Sequence, residues 1–133
     1  TFFLASIGSN KGDINYPLGE MSRISIFTER NEEWLETCLF NTKGIKEINN
    51  ISFSIYKKDV EDAASGGFRA ITDEYRIIRN GVCYRIELLV GWRSITFVEG
   101  PGAIPEKIKE EKEWIDAQKE INNQMLSTFR FIE

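Results

Sequence analysis

The segment Tyr75–Val90 reads Tyr-Arg-Ile-Ile-Arg-Asn-Gly-Val-Cys-Tyr-Arg-Ile-Glu-Leu-Leu-Val, two β-rich runs on either side of Asn80-Gly81. Asn-Gly is the strongest short-range hairpin signal, because a type I′ turn needs positive φ at both central residues. A two-residue turn also fixes register: Arg79 opposes Val82, Ile78 opposes Cys83, Ile77 opposes Tyr84 and Tyr75 opposes Ile86. Side chains alternate sides along a strand. One face therefore carries Tyr75, Ile77, Val82, Tyr84, Ile86, Leu88 and Val90, which the C-terminal helix is expected to cover. The other carries Glu74, Arg76, Ile78, Cys83, Arg85, Glu87 and Leu89. Like charges meet across this second face, Arg76 with Arg85 and Glu74 with Glu87, which diagonal Arg–Glu neighbours can offset.

Around this hairpin the pattern predicts a single α+β domain over 1–133. Phe2–Ala5 reads as a first strand, Ile7 to Pro17 as a loop and Ile24–Phe27 as a second strand. Thr28 is placed to cap a helix from near Arg30, with Glu32 and Glu33 in its positive first turn. Trp34, Leu35, Cys38 and Leu39 form the apolar stripe of that helix. Ile45–Ile48 is a short pairing segment, and Asn49-Asn50 turns the chain into Ile51–Tyr56, a half-buried antiparallel strand. Lys57–Gly67 reads as a polar loop, Phe68–Arg79 and Val82–Trp92 as the long hairpin, and Ile95–Val98 as a loop or edge element. From Glu106 to about Ser127, after Pro105, runs the clearest helix. Its apolar side is expected to carry Ile108, Trp114, Ile115, Ala117, Ile121, Met125 and Leu126. Phe129 and Phe131 end the chain as a short strand or a docked tail.

The chain has no histidine. That removes the commonest general base, the commonest transition-metal ligand and the usual pH switch. Ser-His-Asp and Cys-His hydrolase sites are excluded, and two cysteines cannot complete an ordinary zinc site. Lysine and arginine number 17 against 21 aspartate and glutamate, a net charge of −4, so there is no basic footprint for nucleic acid. The charges are interspersed, with no polybasic run for an anionic membrane. No stretch approaches the run of about 18 apolar residues that a membrane span needs. The chain begins Thr-Phe-Phe-Leu, without an initiator Met, and is expected to be a mature or trimmed form from which any targeting segment is gone.

Two readings of the cysteines stand side by side. Cys38, on the first helix, and Cys83, on the second hairpin face, can meet if that helix packs over that face. A bridge closing so long a loop stabilises by roughly 4 kcal/mol. The other reading is a pair of buried free thiols. No Cys-x-x-Cys motif suggests redox catalysis. Lys58–Gly67 offers three carboxylates beside a glycine-rich turn, readable as a cation or anion site, but neither EF-hand nor Walker spacing is present and a solvated loop is expected. Trp34 and Trp114 fall on helix stripes. Trp92, beside Arg93, is the tryptophan expected to be partly exposed.

The series Asn50-Ile51-Ser52-Phe53, Asp62–Gly67, Tyr75-Arg76, Asn80–Glu87 and Gln124–Phe131 resembles a group of exported bacterial domains, often lipoproteins, over roughly residues 45–133. Its C-terminal part is also similar to PsbP/Mog1-type domains. The resemblance implies export, a Cys38–Cys83 disulfide and an antiparallel sheet flanked by an N-terminal and a C-terminal helix. It brings no catalytic residues and no cofactor. It implies a periplasmic or cell-surface home, with a lipid anchor upstream of the chain as one form of attachment, and a non-enzymatic domain that binds a protein or envelope component.

The expected working surface joins the charged hairpin face to the Trp92–Pro101 loop. Arg76, Arg85 and Glu87 supply polar contacts, and Trp92 and Arg93 supply anchors, since tryptophan and arginine carry much of the energy of interfaces. Two alternatives belong to other classes. One is a carboxylate-dependent hydrolase using Asp59, Glu61 and Asp62. The other is a small-molecule carrier with a pocket between sheet and C-terminal helix.

Overall fold

A computed structural model describes the backbone of residues 6–11 and 20–132 and the side chains of residues 22–132. The predicted hairpin is its centre. Strands β5 (Phe68–Arg79) and β6 (Val82–Arg93) pair in the expected register, Arg79 opposite Val82 and Tyr75 opposite Ile86. Asn80 and Gly81 take φ of 52° and 72°, as a type I′ turn requires. A second turn of the same kind, Asn49-Asn50 at φ 50° and 63°, joins β3 (Ile45–Ile48) to β4 (Ile51–Ala63). The sheet runs β1-β2-β6-β5-β4-β3, where β1 is Ser6–Lys11 and β2 is Glu20–Glu29. Every neighbouring pair is antiparallel. Strands β3 to β6 are thus a meander, and the β1–β2 pair is added beside β6.

Helix α3 (Pro105–Leu126) lies across β2 and β6, on the face that carries the apolar half of the hairpin. Phe53, Tyr75 and Ile86 are fully buried there, with Ile24, Ile26, Leu88 and Leu126 around them. Side chains of this size contribute roughly 1.5–3 kcal/mol each on burial. A smaller cluster joins Val90, Trp92 and Trp114. The buried line of α3 is Trp114, Asn122 and Leu126, whereas Ile108 and Ile121 are exposed. The expected stripe holds at its ends, where Trp114 and Leu126 are buried and Ile115 and Met125 pack beside them, but its middle position is polar: the Asn122 amide oxygen accepts a hydrogen bond from Ser22 Oγ at 2.9 Å. Beyond α3 the chain docks as a tail rather than a strand. Phe129 and Phe131 pack on Phe53, Phe131 also on Tyr84, and Asn49 Nδ2 donates to the Phe129 carbonyl at 2.5 Å.

Several local expectations are corrected. The expected strand Phe2–Ala5 lies outside the described residues, while Ser6–Lys11, in the expected loop, is a strand paired with β2. Strand β2 runs on to Glu29 and takes Thr28 with it, so α1 is only Glu32–Thr37, capped by Asn31, whose side chain accepts from the Glu33 N–H at 2.9 Å. Of the α1 stripe, Cys38 is buried but Trp34 and Leu39 are exposed. The polar stretch after Tyr56 stays in β4 as far as Ala63, its register shifting between Ile55 and Lys57 and again between Lys57 and Val60. Irregular pairing lets a strand carry charge without alternation. Ile95–Glu99 is a helix, α2, with the Glu111 carboxylate accepting from the Ile95 N–H at 2.6 Å. Among the described residues no helix is long and apolar enough to cross a membrane.

Candidate functional site

The second face of the hairpin is polar and largely covered. Cys38, next after α1, is bonded to Cys83 near the start of β6, 45 positions further along the sequence, with Cα atoms 6.0 Å apart. That bond holds α1 against the sheet. The like charges of the ribbon find separate partners rather than the expected diagonal ones. Arg76 Nε lies 2.5 Å from Glu74 Oε2 on its own strand, with the two side chains 8% and 5% exposed. The same guanidinium donates to the Cys38 carbonyl at 3.3 Å and stacks 3.4 Å above the Tyr56 ring. Glu87 instead turns to Arg23 of β2, at 3.7 Å. Arg85 lies over the rings of Phe27 and Trp34, at 5.0 and 5.7 Å, and its Nε is buried with no hydrogen-bond partner.

The five expected binding residues therefore do not form one surface. Arg76 is spent inside the fold. Arg85 and Glu87 share its face, partly covered. Trp92 is 4% exposed and packs with Val90 and Trp114 on the opposite, α3-covered face, which corrects its expected exposure. The signal was already in the hairpin, since even-numbered residues of β6 point to that face and 92 is even. Arg93 returns to the polar side, roughly 26 Å along the strand from Arg85 at about 3.3 Å per residue.

At that far end the sequence reading missed an aromatic cluster. The Arg93 guanidinium lies 5.3 Å from the Phe68 ring centre and 5.7 Å from that of Phe97, and its Nε donates to the Gly66 carbonyl at 2.5 Å. Gly66 and Gly67 turn at φ 78° and 79°, and Phe97 packs so closely over Gly67 that a Cβ there would sit 2.2 Å from its ring. Phe97 is nonetheless 58% exposed, and Val98 and Phe68 are exposed beside it. The Ser65-Gly66-Gly67 turn, read as the end of a solvated loop, is the platform under this cluster.

Of the three carboxylates weighed for hydrolysis, Asp59 and Glu61 each have a cationic partner of their own, and Asp62 is exposed. Asp59, at φ 50°, accepts from Lys119 at 2.9 Å, and its N–H donates to Asp73 Oδ1 at 2.6 Å. The Lys119 hydrogen bond holds the Asp59 carboxyl below the usual range. Glu61 pairs with Arg69 at 2.8 Å. Burial works against the Lys58 ammonium, but Asp73 at 3.2 Å leads the charges that outweigh it and raise its pKa. Tyr75 Oη is buried without a hydrogen-bond partner, and burial, with Asp73 nearby, pushes its pKa up. Among the described residues no three His, Cys, Asp or Glu side chains are placed to hold a metal ion.

Two open clefts flank the end of α3. A polar one of about 340 Å³ lies against the β3–β4 turn and includes Lys46, Glu47, Lys58 and Glu120. An apolar one of about 490 Å³ lies over β2 and β6, floored by Ile24, Ile26 and Ile86 and walled by Met125 and Phe129. Comparison of the chain with family models, with curated proteins and with solved structures found no match.

Proposed function

We propose that this chain is an exported, non-enzymatic binding domain of the bacterial cell envelope, a PsbP/Mog1-like sandwich with its sheet between α1 and α3. The Cys38–Cys83 bond supports export, because such bonds persist in oxidising compartments and are rare in reducing ones. The binding reading is carried by the cluster of Phe68, Arg93 and Phe97. Two exposed aromatic rings around a half-buried arginine that is hydrogen-bonded to the turn beneath it have the composition of an interface anchor. Arg93 keeps the role read from the sequence, and Phe68 and Phe97 take the one given to Trp92. Arg85 and Glu87 add polar contacts further along the same face.

The test is photocrosslinking in the envelope fraction with a benzophenone side chain at position 97. A discrete adduct that disappears when Arg93→Ala is added supports the anchor. An adduct indifferent to Arg93→Ala, or none, removes it.

The apolar cleft favours a second reading, a small-molecule carrier with its pocket between sheet and C-terminal helix. Native mass spectrometry of the protein purified from its host should then show a retained mass that is lost on denaturation.

A further inference from the structure

We propose that the apolar cleft at the end of α3 binds a free single-chain amphiphile with an anionic head, of the fatty-acid class; this rests on the carrier reading and names its ligand. Three observations converge. The cleft, about 490 Å³, falls within the roughly 300–1,000 Å³ of small-molecule sites and is open to solvent, as a chain with a solvated head requires. Its floor is the sheet itself: Ile24, Ile26 and Ile86 are buried and rigidly spaced on two paired strands. Its exposed lining includes Gln124, Thr128 and Arg130, and Arg130 makes no hydrogen bond, ion pair or ring contact with any described residue. A free guanidinium beside an apolar trough pairs with a carboxylate in a two-point contact that neither a neutral nor a cationic head can reproduce. Arginine is also always charged, so the preference persists across the physiological range.

The probes are dodecanoate, dodecanol and dodecyltrimethylammonium, titrated calorimetrically below their micelle concentrations into the oxidised protein. Dodecanoate should bind at one site, at least tenfold more tightly than the cation. Affinity should rise about fourfold per methylene from octanoate to dodecanoate, the step expected for burying each one. Arg130→Glu should weaken dodecanoate at least tenfold and leave dodecanol within twofold. Gln124→Trp, an exposed position that fills the cleft, should weaken all three.

Equal affinity for the three heads, all lost in Gln124→Trp, would overturn the anionic class while leaving the carrier reading intact. No saturable binding of any probe, or binding indifferent to Gln124→Trp, would sink both. A dimer in light scattering that Gln124→Trp dissociates would give the cleft to a second copy, and dodecanoate-independent sedimentation with anionic vesicles would give it to a membrane surface; either overturns the proposal.

Discussion

The two faces of the central hairpin are built from alternate residues of the same strands, yet they are held by different physics. On the α3 side Phe53, Tyr75, Ile86 and Leu88 pack together under a helix of 22 residues, and burial of apolar surface does the holding. On the α1 side the helix has six residues, none buried, and a disulfide replaces the missing hydrophobic contact. That face also buries the Glu74–Arg76 pair, whose Coulomb attraction has to offset the cost of drying two charges. The Tyr56 ring and the Cys38 carbonyl complete the arginine's surroundings, so the ion pair sits directly against the backbone of the bonded cysteine. A short element can thus be fixed on a sheet without a core of its own, provided the chain is crosslinked. The face so fixed stays polar.

Two perturbations separate these regimes. Reducing Cys38–Cys83 frees a loop spanning 45 residues and should cost about 4 kcal/mol on the chain-entropy argument. Urea denaturation with and without reductant measures it, and an unchanged midpoint would mean that the ion pair and stacking alone hold α1. Leu126→Ala strikes the opposite face, where a buried leucine is removed from the main core, and should cost about 3 kcal/mol. The residues share no partner, so the two losses should add within about 0.5 kcal/mol in the reduced variant. A larger coupling would show that the faces are not independent and break the comparison.

How much of this was readable beforehand follows the same division. Asn80-Gly81 dictated register, and through it which side chains share each face, because a two-residue turn leaves one pairing. The Asn49-Asn50 turn and the long C-terminal helix were legible for similarly local reasons. The position of β2 beside β6 was not, since no local signal reports which distant strand fills an edge. Nor was the polar centre of the α3 stripe, because Asn122 counts as surface in any hydrophobic pattern while its amide is satisfied by Ser22, 100 residues away. Charged β4 beyond Tyr56 looked like a loop for the same reason: its Asp59 and Glu61 are answered by Lys119 and Arg69 from other elements. Of the Phe68, Arg93 and Phe97 cluster, Arg93 alone is named by the sequence reading. Its aromatic partners Phe68 and Phe97 escaped notice because a strand start and a loop-like run meet only once the Gly66-Gly67 turn folds.

The smallest expected effect probes where β4 and α3 are joined by charge rather than by packing. Asp59→Asn leaves the backbone untroubled, because asparagine tolerates the positive φ at that position as well as aspartate does. What it removes is the ion pair with Lys119, and with the Asp59 side chain 49% exposed that pair is worth at most about 1 kcal/mol. Its sign with pH is fixed. The folded-state pKa of Asp59 is depressed, so its contribution is fully present above the unfolded value, near 3.9, and is lost as pH falls through the folded one. Wild type and variant should differ in urea midpoint at pH 7 and converge towards pH 3. Lys58, whose pKa is raised chiefly through Asp73 against the cost of burial, works in the other direction: its stabilisation holds below about 10.4 and is lost as pH rises through the folded value. Because Asp73 remains in the variant, the alkaline limbs of the two proteins should run parallel. Divergence there would mean that Asp59 and Asp73 act on Lys58 as one unit, and that the charged seam between sheet and helix is a single network rather than two separate pairs.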